Sequence, residues 1–326
     1  MKAAVVREPF GLDNLKIENL PFPTGSDENA LVKIDLVGVN PVDLNVVLKK
    51  VLYGIAPIPH IPGAEAIGTV LEDSNSFRKG DKVVIFPRFF DGTCNMCSKG
   101  REYLCEKGSL LGVGVNGAFC EAISLPETNL VRYPDSISRE LAATLSVGAL
   151  TPYHALKRVN AAPGSRLLVY GGSGNTGLLA LQLGEMMGLE VSAVSSKPWV
   201  SRFLNGKLFA AEDEVTGMYD VILNSLGSVH FKSSLSHLAP GGSVVTFGTL
   251  TGRSSELDLG SLYTRENSVV GATGGSRSEL LEMLKMLEYR KMEAPVEATY
   301  PLERIREALE HFQKRSSGRI LVSVPQ

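Results

Sequence analysis

Cysteine is scarce in this chain of 326 residues, with four in all, and tryptophan occurs once. Three of the cysteines, Cys94, Cys97 and Cys105, fall within twelve residues. A bridge across two intervening residues is strained and would leave a third thiol over, so the scattered disulfides of exported proteins do not normally take this form and metal ligation is the better reading. Neither sign of charge is in excess. Basic residues number 33 and acidic ones 35, a formal net charge of −2, which sets up no field to gather a polyanion; nucleic acid is not expected as a partner. No run approaches the roughly 18 uninterrupted apolar residues of a membrane span. The opening MKAAVVREPF meets Arg7 and Glu8 before a signal-type core can form, so a cytoplasmic protein without a membrane partner is expected. Internal repeats, low-complexity tracts and polar linkers are missing as well, and domain boundaries have to be read from texture.

What is present is an ordinary globular composition, 44% hydrophobic and 21% charged with 33 Gly and 17 Pro. The length fits one large or two moderate domains. Residues 1–125 read as short strands between Gly and Pro: KAAVV, then ALVKIDLVGV at 30–39, AEAIGTVLE at 64–72, DKVVIF at 81–86 and FCEAISL at 119–125. From about residue 139 helical and strand patterns alternate: RELAATLSVGALTPYHALKRV, RLLVY at 166–170, TGLLALQLGEMMG at 176–188, EVSAV at 190–194, YDVILN at 219–224, a helical stretch near 229–238 and GSVVTFG at 242–248. Such alternation implies a parallel sheet. A helix over 277–290, a strand around Val296, a helix from Leu302 to Lys314 with Ile305, Ala308, Leu309 and Phe312 on one face, and the strand RILVSV complete the chain.

RLLVY runs directly into GGSGNTG, whose Gly172, Gly174 and Gly177 have G-x-G-x-x-G spacing, and an apolar helix follows at once. This context reads as the dinucleotide fingerprint; the alternative is a Gly-rich turn of any α/β protein. Gly172 permits the tight turn, Gly174 lets the backbone approach a pyrophosphate, Gly177 lets helix and strand pack closely, and Asn175 and Thr176 open the helix. NAD-preferring sites usually end the second strand with an acidic residue. Here that strand ends in Ser195, Ser196 and Lys197, small hydroxyl groups and a cation that suit a 2′-phosphate, so NADPH is expected over NADH. The alternative for Lys197 is a solvated first-turn residue. Gly248, which closes GSVVTFG, joins the expected cofactor set.

DGTCNMCSKGREYLC places Asp91, Cys94, Cys97 and Cys105 at spacings of three, three and eight. Three thiolates and a carboxylate close a tetrahedral zinc site with no position left for substrate, so one structural zinc per chain is expected. Asp91 could instead be a turn residue before Gly92. Cys120, alternating with apolar residues, reads as a core thiol.

These loops, in this order and separation, resemble the medium-chain dehydrogenase/reductase superfamily, which includes the zinc alcohol dehydrogenases and the quinone oxidoreductases. GVNPVDLNV, IPGAEAIGTV, KGDKVVIF, TPYHALKR, YDVILNSLG, YPLERIREALEHF and SGRILVSV extend the likeness over nearly the whole chain. The resemblance implies an α/β architecture: a mainly β GroES-like catalytic domain from residues 1–127 and 290–326, and a Rossmann cofactor domain at 128–289. It also implies a homodimer or homotetramer acting on a small molecule. In the zinc alcohol dehydrogenases the positions matching Asn40, Ala64 and Val147 are normally Cys, His and a further Cys or acidic ligand. None of the three can replace them here, and Glu65 alone cannot hold an open zinc site; His60 is read as an exposed or packing histidine. Asn40 matches the quinone oxidoreductase-like branch, which works without catalytic zinc. The connection from Val194 to Asp220 is shorter than in that family.

Without a Lewis acid, reduction of a double bond conjugated to a carbonyl is the easier chemistry. Hydrogen-bond donors can stabilise the enolate that hydride addition creates. Asn40, from the matched motif, and Tyr53, from its place after a helix at 41–50, are the candidate catalytic donors; Tyr53 could equally be a cleft-wall aromatic. The expectation is an NADPH-dependent reductase of an enone, quinone or enoyl-type substrate. A zinc-type alcohol dehydrogenase and a non-catalytic nucleotide-binding protein stay open as alternatives.

Overall fold

The computed structural model describes residues 1–26, 28–51, 54–314 and 317–324. Two units divide the chain, Met1–Val147 with Ser276–Gln326, and Gly148–Gly275. The crossings therefore lie after Val147 and after Gly275, rather than near residues 127 and 289. The second has a local reason. The helix Arg277–Leu287 begins with an N–H that Glu102 accepts and a guanidinium that donates to the Leu130 carbonyl, and both partners belong to the first unit.

The first unit is built on a seven-stranded sheet. Its longest strand, Asn29–Gly38, is buried at most positions. On one side it pairs antiparallel with Ala66–Val70, and on the other with Ala122–Pro126 along its first half and Arg319–Ser323 along its second. Lys82–Ile85 and Leu130–Arg132 extend the first side, while Val296–Pro301 lies parallel to Arg319–Ser323. The last strand is thus an internal member of a sheet begun near the N-terminus. The helix Ile305–Gln313 buries Ile305, Ala308 and Leu309, the expected face, into the core shared by Val32, Ile34, Val70, Ile85, Leu130 and Ile320. FCEAISL becomes strand only from Ala122, while Cys120 makes a single bridge to Ala3.

The second unit carries six parallel strands, here numbered in chain order: β1 Arg166–Tyr170, β2 Glu190–Val194, β3 Leu208–Phe209, β4 Tyr219–Asn224, β5 Leu238–Thr246 and β6 Ser268–Gly271. Their spatial order is β3-β2-β1-β4-β5-β6, the doubly wound arrangement in which ligands bind outside the carboxyl ends where the order reverses. The apolar runs of β1 and β4 are buried because a parallel sheet is covered on both faces. The helix Asn175–Met186 covers β1, and its own apolar character on every side reflects how deeply it is enclosed. The connection from Val194 to Asp220 holds only short 3-10 turns, Pro198–Phe203 and Glu212–Glu214, and a two-residue β3. Val200, Phe203 and Leu204 fill the core there in place of a longer helix. Among the described residues no helix is long and apolar enough to cross a membrane.

Candidate functional site

Three constellations carry the expected chemistry. The first sits at the carboxyl ends of β1, β2 and β5. Gly171 and Gly172 donate their N–H groups to the Val194 carbonyl at 3.2 and 3.1 Å, which ties the glycine loop to the end of β2. A Cβ at Gly177 would lie 2.1 Å from the Gly171 carbonyl oxygen, so only glycine lets the helix start this close to the turn. Gly174 is the N-cap, and no side chain caps that helix; the leading N–H groups of Asn175, Thr176 and Gly177 are the usual anion cradle of such a helix. Gly248 approaches equally closely, since a Cβ there would meet the Ser225 carbonyl oxygen at 1.9 Å. Ser195 is buried and its hydroxyl accepts the Lys197 N–H at 3.2 Å, whereas Ser196 and Lys197 are exposed. A bare backbone cradle of this kind fits a dinucleotide pyrophosphate.

The second is the cysteine loop. Cys94 Sγ lies 3.5 Å from Cys97 Sγ and 3.8 Å from Cys105 Sγ. Zn–S bonds of about 2.3 Å in a tetrahedron set sulfurs about 3.8 Å apart, so the spacing suits one zinc. Asp91 completes the set, with one ligand atom from each residue within 4.8 Å of all the others. Its Oδ1 accepts the N–H groups of Cys94 and Thr93 at 3.0 and 2.9 Å. These bonds hold the carboxyl well below the usual carboxylate range. Its Oδ2 is buried with no hydrogen-bond partner, as a ligand oxygen would be. The turns Cys97–Lys99 and Glu102–Leu104 fold the stretch back so that Cys105 returns to the pair.

The third gathers around Glu65, which is fully buried. Its Oε1 accepts the Val147 N–H at 2.6 Å, and its Oε2 accepts Asn40 Nδ2 at 2.9 Å and the guanidinium of Arg319. Arg319 is itself fully buried and also donates to Asn40 Oδ1 at 3.3 Å. Asn40 Nδ2 donates in addition to the Gly38 carbonyl at 3.1 Å, so both amide hydrogens of the expected substrate donor are engaged inside the protein. Asp43 bonds the backbone of Asn40 and of Ala64. Asn40, Ala64 and Val147 therefore do converge, but on a carboxylate whose two oxygens are already occupied. This donor set, one amide and two side chains without ligand atoms, does not fit a catalytic zinc.

Tyr53 lies outside the described residues. His60 is buried, and its Nε2 stands 2.9 Å from the Gly112 carbonyl; burial lowers its pKa, so it is a neutral packing residue. Burial pushes the Cys120 thiol up to about 12, as for a core thiol. Asp43 and Arg319 were not anticipated. The sequence carries signals for both: N-x-x-D in GVNPVD is a capping box, realised at the helix Pro41–Val47, and one Arg opens a mostly apolar closing strand.

The alcohol dehydrogenase GroES-like domain family matches residues 26–135, and the zinc-binding dehydrogenase family matches 176–289. An NAD-dependent alcohol dehydrogenase of Sulfolobus acidocaldarius is 28% identical over 99% of this chain and all of its own length. An acryloyl-coenzyme A reductase of Sulfurisphaera tokodaii is 26% identical over 99% of each. A thermostable alcohol dehydrogenase of Pyrobaculum aerophilum superposes with a TM-score of 0.91 at 33% identity, over 99% of both chains. The chain belongs to the medium-chain dehydrogenase/reductase superfamily of oxidoreductases.

Proposed function

We propose that this protein reduces a carbon-carbon double bond conjugated to a carbonyl, in an enone, quinone or enoyl thioester, with NADPH and without a catalytic metal. The observation that carries the reading is Glu65, whose oxygens are taken by Asn40, Arg319 and the Val147 N–H at the point where the zinc-dependent relatives would need three ligands. NADPH, when bound, supplies hydride to the β carbon. The chain's own part is to bind the pyrophosphate on the N–H groups of Asn175, Thr176 and Gly177 and the 2′-phosphate beside Ser196 and Lys197. Around Glu65 the Arg319 guanidinium and the Asn40 amide are spent on the carboxylate and hold it in place where a catalytic metal would need open ligands. Charge that reaches the carbonyl oxygen is delocalised by the conjugation, so less stabilisation is asked of the protein than for an isolated alkoxide. The acryloyl-coenzyme A reductases among the relatives favour an unsaturated thioester.

A second reading, oxidation of a small alcohol or reduction of an aldehyde, is favoured by the relatives named alcohol dehydrogenases. One structural zinc at Asp91, Cys94, Cys97 and Cys105 belongs to either. So does assembly into a homodimer or homotetramer, for which Leu250, Leu259 and Tyr263, between 67% and 78% exposed, offer apolar surface; light scattering reads the state.

A turnover panel of enones, quinones, enoyl thioesters, aldehydes and alcohols with both nicotinamide cofactors decides the function. The expected result is NADPH oxidation by conjugated substrates and little or no alcohol oxidation. Rapid, chelator-sensitive oxidation of an alcohol, with enones inert, overturns it in favour of the second reading.

A further inference from the structure

Asp43, on the first turn of the helix Pro41–Val47, is 1% exposed. Its carboxylate joins two separate backbone segments. Oδ2 accepts the Asn40 N–H at 2.8 Å, and Oδ1 accepts the Ala64 N–H at 2.9 Å. The side chains of Asn40 and of Glu65, the residue after Ala64, bond each other, so Asp43 fixes the backbone on both sides of the same contact. An ionised carboxylate serves both N–H groups with acceptor-only oxygens, whereas protonation makes one of the two a hydroxyl, a weaker acceptor that also carries a donor to place.

The charged groups facing Asp43 are Glu65 and Arg319, one of each sign. With Asp43 ionised the enclosed cluster holds two carboxylates against one guanidinium. Burial opposes that state, the two backbone bonds support it, and the balance leaves Asp43 raised to about 7.

We infer that Asp43 is a positioning residue, a clamp between residues 40 and 64 that closes when the carboxyl loses its proton and so holds the Asn40–Glu65–Arg319 network in its working geometry. The kinetic half of this rests on the reductase reading; the structural half rests on the fold alone.

Two measurements on the full chain test it. Infrared difference spectra taken across neutral pH are expected to show a buried carboxylic acid band that disappears as the pH rises and is missing from Asp43→Asn. In parallel, kcat for an NADPH-dependent enone reduction is expected to rise with the same inflection while KM moves little. Asp43→Asn is expected to be flat across that range and lower by roughly tenfold, the rate equivalent of one charge-assisted hydrogen bond. If Asp43→Asn fails to fold, Asp43→Glu, which keeps the charge and displaces it, is expected to retain the titration with reduced kcat. An inflection that persists in Asp43→Asn overturns the kinetic half. Absence of a titrating Asp43 band overturns the clamp whatever the turnover. A titrating band with no reduction of any conjugated substrate overturns the kinetic half and the reductase reading together, while leaving the clamp supported.

Discussion

Arg319 and Glu65 stand 254 residues apart in sequence and form an ion pair with neither side chain exposed to solvent. Such a pair adds little net stability, because desolvation offsets its attraction, but it costs much to break, because removing one partner strands a charge in the interior. Arg319→Met is expected to destabilise the protein by about 3 to 5 kcal/mol, read from urea unfolding. The double variant Glu65→Gln, Arg319→Met is expected to lose clearly less. Equal losses in the two would mean that packing, rather than the stranded charge, sets the cost.

The cysteine loop reaches beyond its four candidate ligands, since Glu102, between Cys97 and Cys105, accepts the first N–H of the helix Arg277–Leu287. One zinc per chain is expected on metal analysis. Asp91→Asn keeps an oxygen for the two backbone bonds but replaces the free ligand oxygen, so it should bind zinc more weakly. Stripping the metal should lower Tm and speed hydrogen exchange at Arg277. Two zinc ions per chain, or none in material purified without chelators, would contradict the assignment.

NADPH is expected to bind more tightly than NADH, with Lys197→Ala narrowing the gap by about 1.5 to 3 kcal/mol, the value of a hydrogen bond to a charged group. Titration by nucleotide fluorescence measures it. Matching curves for the two nucleotides in the unmodified protein would remove the case for a 2′-phosphate site.

Gly177→Ala puts a methyl group 2.1 Å from the Gly171 carbonyl oxygen, and backbone cannot yield as a flexible side chain does. Both nucleotides should lose affinity together, with a fall in Tm. A variant that binds NADPH as well as the parent would show that the glycine turn relaxes at no cost.

Asp43 also gives stability a pH dependence of known sign. Its carboxyl is raised from 3.8 to about 7 in the fold, so the folded chain binds this proton more tightly than the unfolded one. The stabilising contribution is complete below the unfolded value and is lost as pH rises toward about 7. Unfolding free energies of the parent measured relative to Asp43→Asn should therefore fall across that interval; a constant difference would refute the shift.

Legibility in the sequence followed the range of the interactions. RLLVY-GGSGNTG-LLALQL is a strand, a turn and a helix whose residues meet their immediate neighbours, and it folds as read. The cysteine loop is likewise local, and its spacing brought Asp91 and the three thiols together as expected. Asn40 shows the limit. Its motif is recognisable, but its partners Glu65, just before the strand Ala66–Val70, and Arg319, at the start of the last strand, are distant in sequence, and only the assembled sheet reveals that its amide is engaged. The crossing at Gly275 was obscured for the same reason, because the tether from Arg277 to Glu102 spans 175 residues. The strand Leu15–Asn19 and the short helix Leu259–Thr264 have little period of their own and were not foreseen.

The last strand of the first unit, Arg319–Ser323, lies in register with Leu36–Gly38, which gives biosynthesis an order. A chain made only as far as Gly275 already carries all six strands of the nucleotide unit, and domains generally fold as units. The first unit at that moment has a gap beside Asn29–Gly38 and lacks Arg319, the guanidinium that pairs with Glu65 in the complete fold. Chains truncated before Arg319 should thus present the folded nucleotide unit attached to an unfinished, protease-sensitive sheet.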